Sequence, residues 1–283
     1  MIVNSFEDMK RYLPAAQVKM PAEFFLDALE VAQDSLKAEI LGESLTALLE
    51  EGNKEDKQLL GLVRRAISLE AFLRSIPRLD LVITEAGFGV VSNQDIAPAS
   101  RERIQALTES IRADLDDAKD RIVSFLLKSH VYSDWRGTEE FAALTDGLFM
   151  TFADFKEHAP FSIKVAEAWP HSWAEFRRLG GALNVALTSD VAAYISPEYA
   201  DELLEKVRDS ETLFPLERKV LKTVKTAVAA IALGDRDTGL AEAIKAAAFM
   251  KANIGEFPTF AASDAASDLS LQHDDSPIFS MIR

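Results

Sequence analysis

The 283-residue chain contains no cysteine. That single absence excludes disulfide frameworks, thiol nucleophiles, CxxC redox centres and Cys-ligated zinc or iron–sulfur clusters. Histidine is scarce too. His130, His158, His171 and His273 are the whole set, and none lies in HExxH or ExxH or one helical turn from another, so metal-ligand spacing on a helix is missing. Glu157 and His158 are adjacent and diverge on a helix, which reads as a satisfied or solvated histidine. No apolar run reaches the roughly 18 residues of a membrane span. Met1–Asp8 lacks the basic start and apolar run of a signal peptide. Basic residues are outnumbered, 31 against 46 acidic ones, for a formal net charge of −15. Such a chain repels phosphate backbones and anionic lipid, so neither a specific nucleic-acid partner nor a membrane partner is expected. The expectation is a soluble protein of the cytoplasm.

Motifs for chemistry are equally thin. Gly87-Phe88-Gly89 lacks the third glycine of a dinucleotide fingerprint and a βαβ setting. There is no GxxxxGK[ST] loop and no GxSxG elbow, and Gly180-Gly181 sits inside a helical pattern without a nucleophile beside it. Asp114, Asp117 and Asp120 could form a carboxylate cluster, but they fall opposite an apolar stripe and read as a solvated helix face. Arg218, Lys219, Lys222 and Lys225 form one compact basic ridge, either a solvated face or a contact for an acidic protein surface. No catalytic residue, metal ligand or cofactor is assigned.

What is present is helical periodicity. Glycine (12) and proline (10) are few, and hydrophobic residues make up 48% of the chain, enough for a substantial core. Ile104, Leu107, Ile111, Leu115, Ala118, Ile122 and Phe125 place seven apolar side chains on one stripe of a helix over 100–127, with Ser100 as N-cap after Pro98. Residues 22–50 read as helix with a break at Gly42, and 54–75 as a central helix apolar almost all round, stopped by Pro77. Between them and the 100–127 helix, β-branched runs flank Gly87-Phe88-Gly89, which predicts a short hairpin or ordered loop over 81–93. Helical pattern resumes over 174–187, 189–207, 215–233 and 237–253. Residues 259–273 read as poorly ordered. Beyond them Ile278, Phe279, Met281 and Ile282 form an apolar cluster, either a docking tail for a neighbouring subunit or a frayed end.

The predicted fold class is mainly α, with at most short β elements. The expected organisation is an N-terminal helical unit (1–128), an aromatic-rich connector (129–173), a C-terminal helical unit (174–258) and a flexible tail (259–283). Ten of the 24 aromatic residues lie between 130 and 176, and core filling is the plain account of them. A faint internal duplication runs through the two units. At an offset of 155, residues 35–51 match 190–206 at six of 17 positions; at 161, residues 57–72 match 218–233 at four of 16.

Glu85–Asn93, with its Gly-Phe-Gly-Val-Val-Ser-Asn word, followed by Ala97-Pro98-Ala99-Ser100, resembles an uncharacterised family encoded in prophages and related bacterial viruses. The likeness covers roughly residues 55–128. The helix–loop–helix around it is similar to the helical head–tail connector (adaptor) proteins that form rings beneath a portal, an analogy at fold level. The resemblance implies a non-enzymatic structural or assembly protein of a phage or prophage particle, found in the host cytoplasm or the virion. Its partners would be a portal, a neighbouring connector or tail components, or further copies in a ring. Gly87, Phe88, Gly89, Val90, Val91, Ser92 and Asn93 would be the assembly loop. An acidic wall also suits a DNA conduit, since repulsion keeps the duplex from sticking. The alternative is a helical small-molecule or protein-binding module, or an enzyme, with a pocket lined by Trp135, Phe149, Phe155 and Trp169.

Overall fold

The computed structural model describes residues 1–13, 23–51, 57–78, 81–84, 87–90, 100–145, 147–160 and 168–268. Within them the protein is mainly α-helical, as its periodicity predicts, with one two-stranded sheet. The chain divides into two compact units, Met1–Ala143 and Leu144–Arg283. The aromatic-rich stretch 129–173 is shared between them rather than standing apart as a connector.

The first unit begins with α1 (Phe6–Lys10), whose N-cap Ser5 accepts from the Asp8 N–H. Helix α2 (Glu23–Leu36) runs into a π-helical turn (Lys37–Leu41) and stops at Gly42, where φ is +72° and ψ 174°. Glycine alone adopts that conformation without strain, so the predicted break falls where expected. Helix α3 (Gly42–Glu51) starts there. Trp135, in a 3₁₀ turn (Ser133–Gly137), donates its indole N–H to the Ile40 carbonyl at 2.6 Å, satisfying an acceptor near the break. Helix α4 (Lys57–Ser75) is central: α1, α2 and α5 (Arg101–Lys128) all pack on it, and Leu59, Val63, Ala66, Ile67 and Leu69 are buried. Between α4 and α5 lie strands β1 (Leu81–Thr84) and β2 (Gly87–Val90). Helix α6 (Glu139–Leu144) follows the 3₁₀ turn.

The α5 stripe is only partly a core stripe. Ile111, Leu115, Ala118 and Ile122 are buried, but Leu107 is 41% exposed and Ile104 and Phe125 are half-buried. Nor is the acidic side wholly solvated: Asp116 and Asp120 are buried, and Asp114 pairs with Arg65 at 3.3 Å. Lys119, also buried, reaches Glu39 at 2.6 Å and Glu70 at 3.5 Å. The neighbouring α2–α4 layer covers positions that the heptad pattern alone leaves facing water.

The second unit opens with α7 (Phe152–His158), capped by Thr151, then α8 (Trp173–Arg178) and α9 (Gly180–Val185). A second π-helical turn (Ala186–Val191) leads to α10 (Ala192–Ile195). The single helix predicted over 189–207 is therefore two. Ser196 breaks it with φ +73°, and α11 (Pro197–Arg208) begins with proline in its first turn. The cause is local, because the residue before a proline is driven out of the α region. Helices α12 (Pro215–Ala232) and α13 (Arg236–Ala252) then form the unit's main helix pair. Residues 259–268 do not form the loose segment expected of their Ala, Ser and Asp content; α14 (Pro258–Ala261) and α15 (Asp264–Asp268) occupy them, with Phe260 buried as an anchor. Ile278, Phe279, Met281 and Ile282 lie outside the described residues.

Aromatic residues fill this second core. Phe149 meets Phe155 edge-on at 5.4 Å, Phe155 lies 5.5 Å from both Trp169 and Phe176, and Trp173 contacts Phe176 at 5.9 Å. The Phe149–Phe155 and Trp173–Phe176 pairs are edge-on, and Phe155 is tilted against Trp169 and Phe176. Trp135, the fourth residue of the alternative pocket, belongs to the first unit.

Candidate functional site

The strongest candidate is the segment between α4 and α5. Its hairpin is antiparallel, with Leu81 opposite Val90, Val82 opposite Gly89, Ile83 opposite Phe88 and Thr84 opposite Gly87. Gly87-Phe88-Gly89 is thus not the turn but the body of the second strand. No third strand joins either edge of the ribbon among the described residues. Val91, Ser92 and Asn93 lie outside the described residues.

The chain returns into α5 at Ser100, whose hydroxyl accepts from the Arg103 N–H at 3.4 Å. Glu102 in this first turn takes hydrogen bonds from its own backbone N–H and from Ser100, which hold its carboxyl below the usual range. From Arg101 to Ser110 no residue is buried; burial starts at Ile111. Ten residues of helix span about 15 Å. That stretch carries the exposed Leu107, with Ile104 and Thr108 half-buried.

Three buried charge clusters lie elsewhere. In the first unit, Lys119 joins Glu39 and Glu70, and Arg74 holds Glu70 at 2.6 Å. In the second, Lys206 pairs with Glu202 and, at 2.5 Å, with Glu217. The third centres on Asp154, which takes Lys225 at 2.6 Å and the His158 Nδ1 at 3.1 Å, while Thr226 donates to the His158 carbonyl. Burial works to raise the Asp154 pKa, but the His158 hydrogen bond and the Lys225 charge outweigh it, so the carboxyl titrates below its ordinary range. The same hydrogen bond raises His158 against the opposing effect of burial. These clusters tie helices together. Among the described residues no three His, Asp or Glu side chains group as metal ligands.

The basic ridge loses one member on folding. Lys225 is buried on Asp154. Arg218, Lys219 and Lys222 remain exposed, with Lys219 4.1 Å over the Phe249 ring. Two depressions mark the first unit. One of about 180 Å³ is lined by Leu48, Val131, Tyr132 and Trp135, and another of about 290 Å³ by Asp27, Ala28, Val31 and Arg74. Neither reaches the middle of the roughly 300–1,000 Å³ range usual for small-molecule sites.

Residues 24–143 match the model of a family of unknown function (DUF6712). The match ends at the same residue as the first unit and includes the hairpin segment. No curated protein and no solved structure matches the chain. Among the described residues no helix is long and apolar enough to cross a membrane.

Proposed function

We propose that this chain is a non-enzymatic structural component of a phage or prophage particle, of the head–tail connector kind, and that the segment between α4 and α5 is its assembly element. One observation carries the reading: the residues that resemble the prophage-encoded family, Glu85–Asn93 and Ala97–Ser100, fall in the connection between α4 and α5, whose described part pairs as a two-stranded ribbon. A two-stranded ribbon is marginal on its own, and its strand glycines suit close approach by another backbone. The partners would be a portal, a neighbouring connector or tail protein, or further copies closing a ring.

The test is co-expression with the portal protein encoded in the same gene cluster, followed by sedimentation. The reading expects a complex larger than either component. Gly87→Val and Gly89→Val should abolish it, while leaving helical content and unfolding midpoint unchanged, because valine suits a strand better than glycine does. A chain that stays monomeric beside the portal, or a complex indifferent to both substitutions, overturns it.

A further inference from the structure

We propose that the two units are copies of one helical fold, and that the first copy carries a 33-residue insertion which the fold itself does not need. The duplication rests on a series of local signatures in the same order in both units.

The copies start alike. Ser5-Phe6-Glu7-Asp8-Met9 and Thr151-Phe152-Ala153-Asp154-Phe155 are both short helices capped by a hydroxyl that accepts from the N–H of the aspartate three residues on. In each, the phenylalanine stacks on one from the next helix: Phe6 on Phe25 at 5.0 Å and 17°, Phe152 on Phe176 at 5.6 Å and 21°. Each short helix packs on the unit's long central helix, α1 on α4 and α7 on α12. A cation from that helix secures the contact, Arg64 donating to the Ile2 carbonyl and Lys225 to Asp154.

The middle repeats a rarer feature. Both units run a helix into a π-helical turn and then break at a residue of positive φ, Gly42 at +72° and Ser196 at +73°. π-Helical turns are uncommon, and a positive-φ break soon after one is rarer still. The offset here is 154. Under it Leu41, Leu45, Thr46 and Leu49 fall on Ile195, Tyr199, Ala200 and Leu203, all buried, and the exposed Val31 falls on the exposed Val185. The offset of 155 read from residue identity is one too many, because it sets exposed Leu48 on buried Leu203. The second offset holds: at 161, buried Leu59, Val63, Ala66, Ile67, Ser68 and Leu69 fall on buried Val220, Val224, Ala227, Val228, Ala229 and Ala230.

The last helices agree at 128, where Ile111, Leu115, Ala118, Lys119 and Ile122 fall on Gly239, Ala243, Ala246, Ala247 and Met250, again all buried. The offset drops from 161 to 128 across this corner, so the first unit has 33 residues that the second lacks. The second unit passes from α12 to α13 through Leu233, Gly234 and Asp235, with Gly234 at φ +92° and Asp235 capping α13. The first unit places the hairpin and the unburied start of α5 there. A fold completed without this segment in one copy has no structural need of it in the other. That the insertion engages a partner rests on the assembly reading above; the duplication does not.

Two grafts on the full chain test this. The first replaces residues 73–107 by Gly-Asp, the linkage of the second unit at the proposed register. The second replaces only residues 79–99 by Gly-Gly-Ser-Gly and depends on no register. Both should stay helical and unfold cooperatively with midpoints within about 5 °C of the parent. Failure of the first alone overturns the register and with it the duplication; failure of both shows that the first unit needs its insertion. With both folded, sedimentation with the portal tests the role separately. Lost binding supports it, and retained binding removes the assembly role while leaving the duplication in place.

Discussion

The corner between α4 and α5 and the corner between α12 and α13 join two helix pairs of similar burial pattern in opposite ways. The second pair is lined by Ala227, Ala229, Ala230, Gly239, Ala243, Ala246 and Ala247, small side chains that let the axes approach, and three residues suffice to turn the chain. The first pair is filled by Ile67, Leu69, Ile111, Leu115 and Ile122 with the Lys119–Glu70 pair among them, and its connection is long and includes the β1–β2 hairpin. Similar helix order is thus held together once by close backbone approach and once by bulky side chains and charge. The difference locates where each unit tolerates change.

The largest expected effect breaks the close pair. A Cβ on Gly239 would stand 2.3 Å from Ile231 Cγ1 and 2.8 Å from the Ala227 carbonyl oxygen, so the helices must separate. Gly239→Leu should cost about 3 kcal/mol or more, while Ile111→Leu at the matching position of the first unit should cost less than about 1.5 kcal/mol, both read by urea unfolding. Equal costs would remove the contrast between the two corners.

Next come the buried cations. Lys119→Ala leaves Glu70 buried beside Arg74 alone and should cost about 3 kcal/mol. Lys225→Ala leaves Asp154 with His158, so its cost should depend on pH in a way that the Lys119 variant's does not. The signs follow from linkage. The depressed Asp154 contributes stability that is present above its unfolded value and lost as pH falls through the folded one. The raised His158 contributes stability that is full below its unfolded value, near 6.5, and lost as pH rises through the folded one. Asp154→Asn should flatten both limbs of the stability profile; a profile unchanged by it would show that the cluster holds no charge.

The two helix breaks should respond with opposite signs. Gly42→Ala forces a Cβ into the left-handed region and within 2.8 Å of Glu140 Oε2, and should cost about 1–2 kcal/mol. Ser196→Gly relieves strain at φ +73° but loses a cap to the Tyr199 N–H, for a net gain of about 0.5 kcal/mol. The smallest effect is expected at Tyr199, which falls on Leu45 of the first unit. Its hydroxyl is buried without a hydrogen-bond partner among the described residues, and burial followed by the Glu217 and Glu202 charges pushes the phenol well above its ordinary value. Tyr199→Phe should be neutral or stabilise by up to about 1 kcal/mol. A clear loss would mean that the hydroxyl is bonded after all.

How much of this was legible beforehand follows from which interactions are local. Ser100 as an N-cap, the break at Gly42 and the central position of α4 depend on residues within a turn or two of one another, and the periodicity exposes them. The break at Ser196 was legible too, through Pro197, but the run of small and apolar residues from 189 to 207 concealed it. Within the candidate segment and the helix after it, two parts were misread: the Gly-Phe-Gly word lies in a strand, and Leu107 sits outside the core although it continues the stripe one turn before Ile111 does. No local signal states where a packed neighbour ends.

By itself, then, the sequence determined the helical class, the near-absence of chemistry-bearing motifs and the segment most unlike its surroundings, because all three follow from residue type and short spacing. Tertiary structure alone decided which charges went inside. Lys225 reads as part of a solvated ridge until Asp154, 71 positions away, is brought beside it. It also decided the register between the two units, since leucine, alanine and glutamate match one another at many offsets. Backbone torsion, which depends on what packs against each residue, sets Gly42 on Ser196 and so supplies the proposed one.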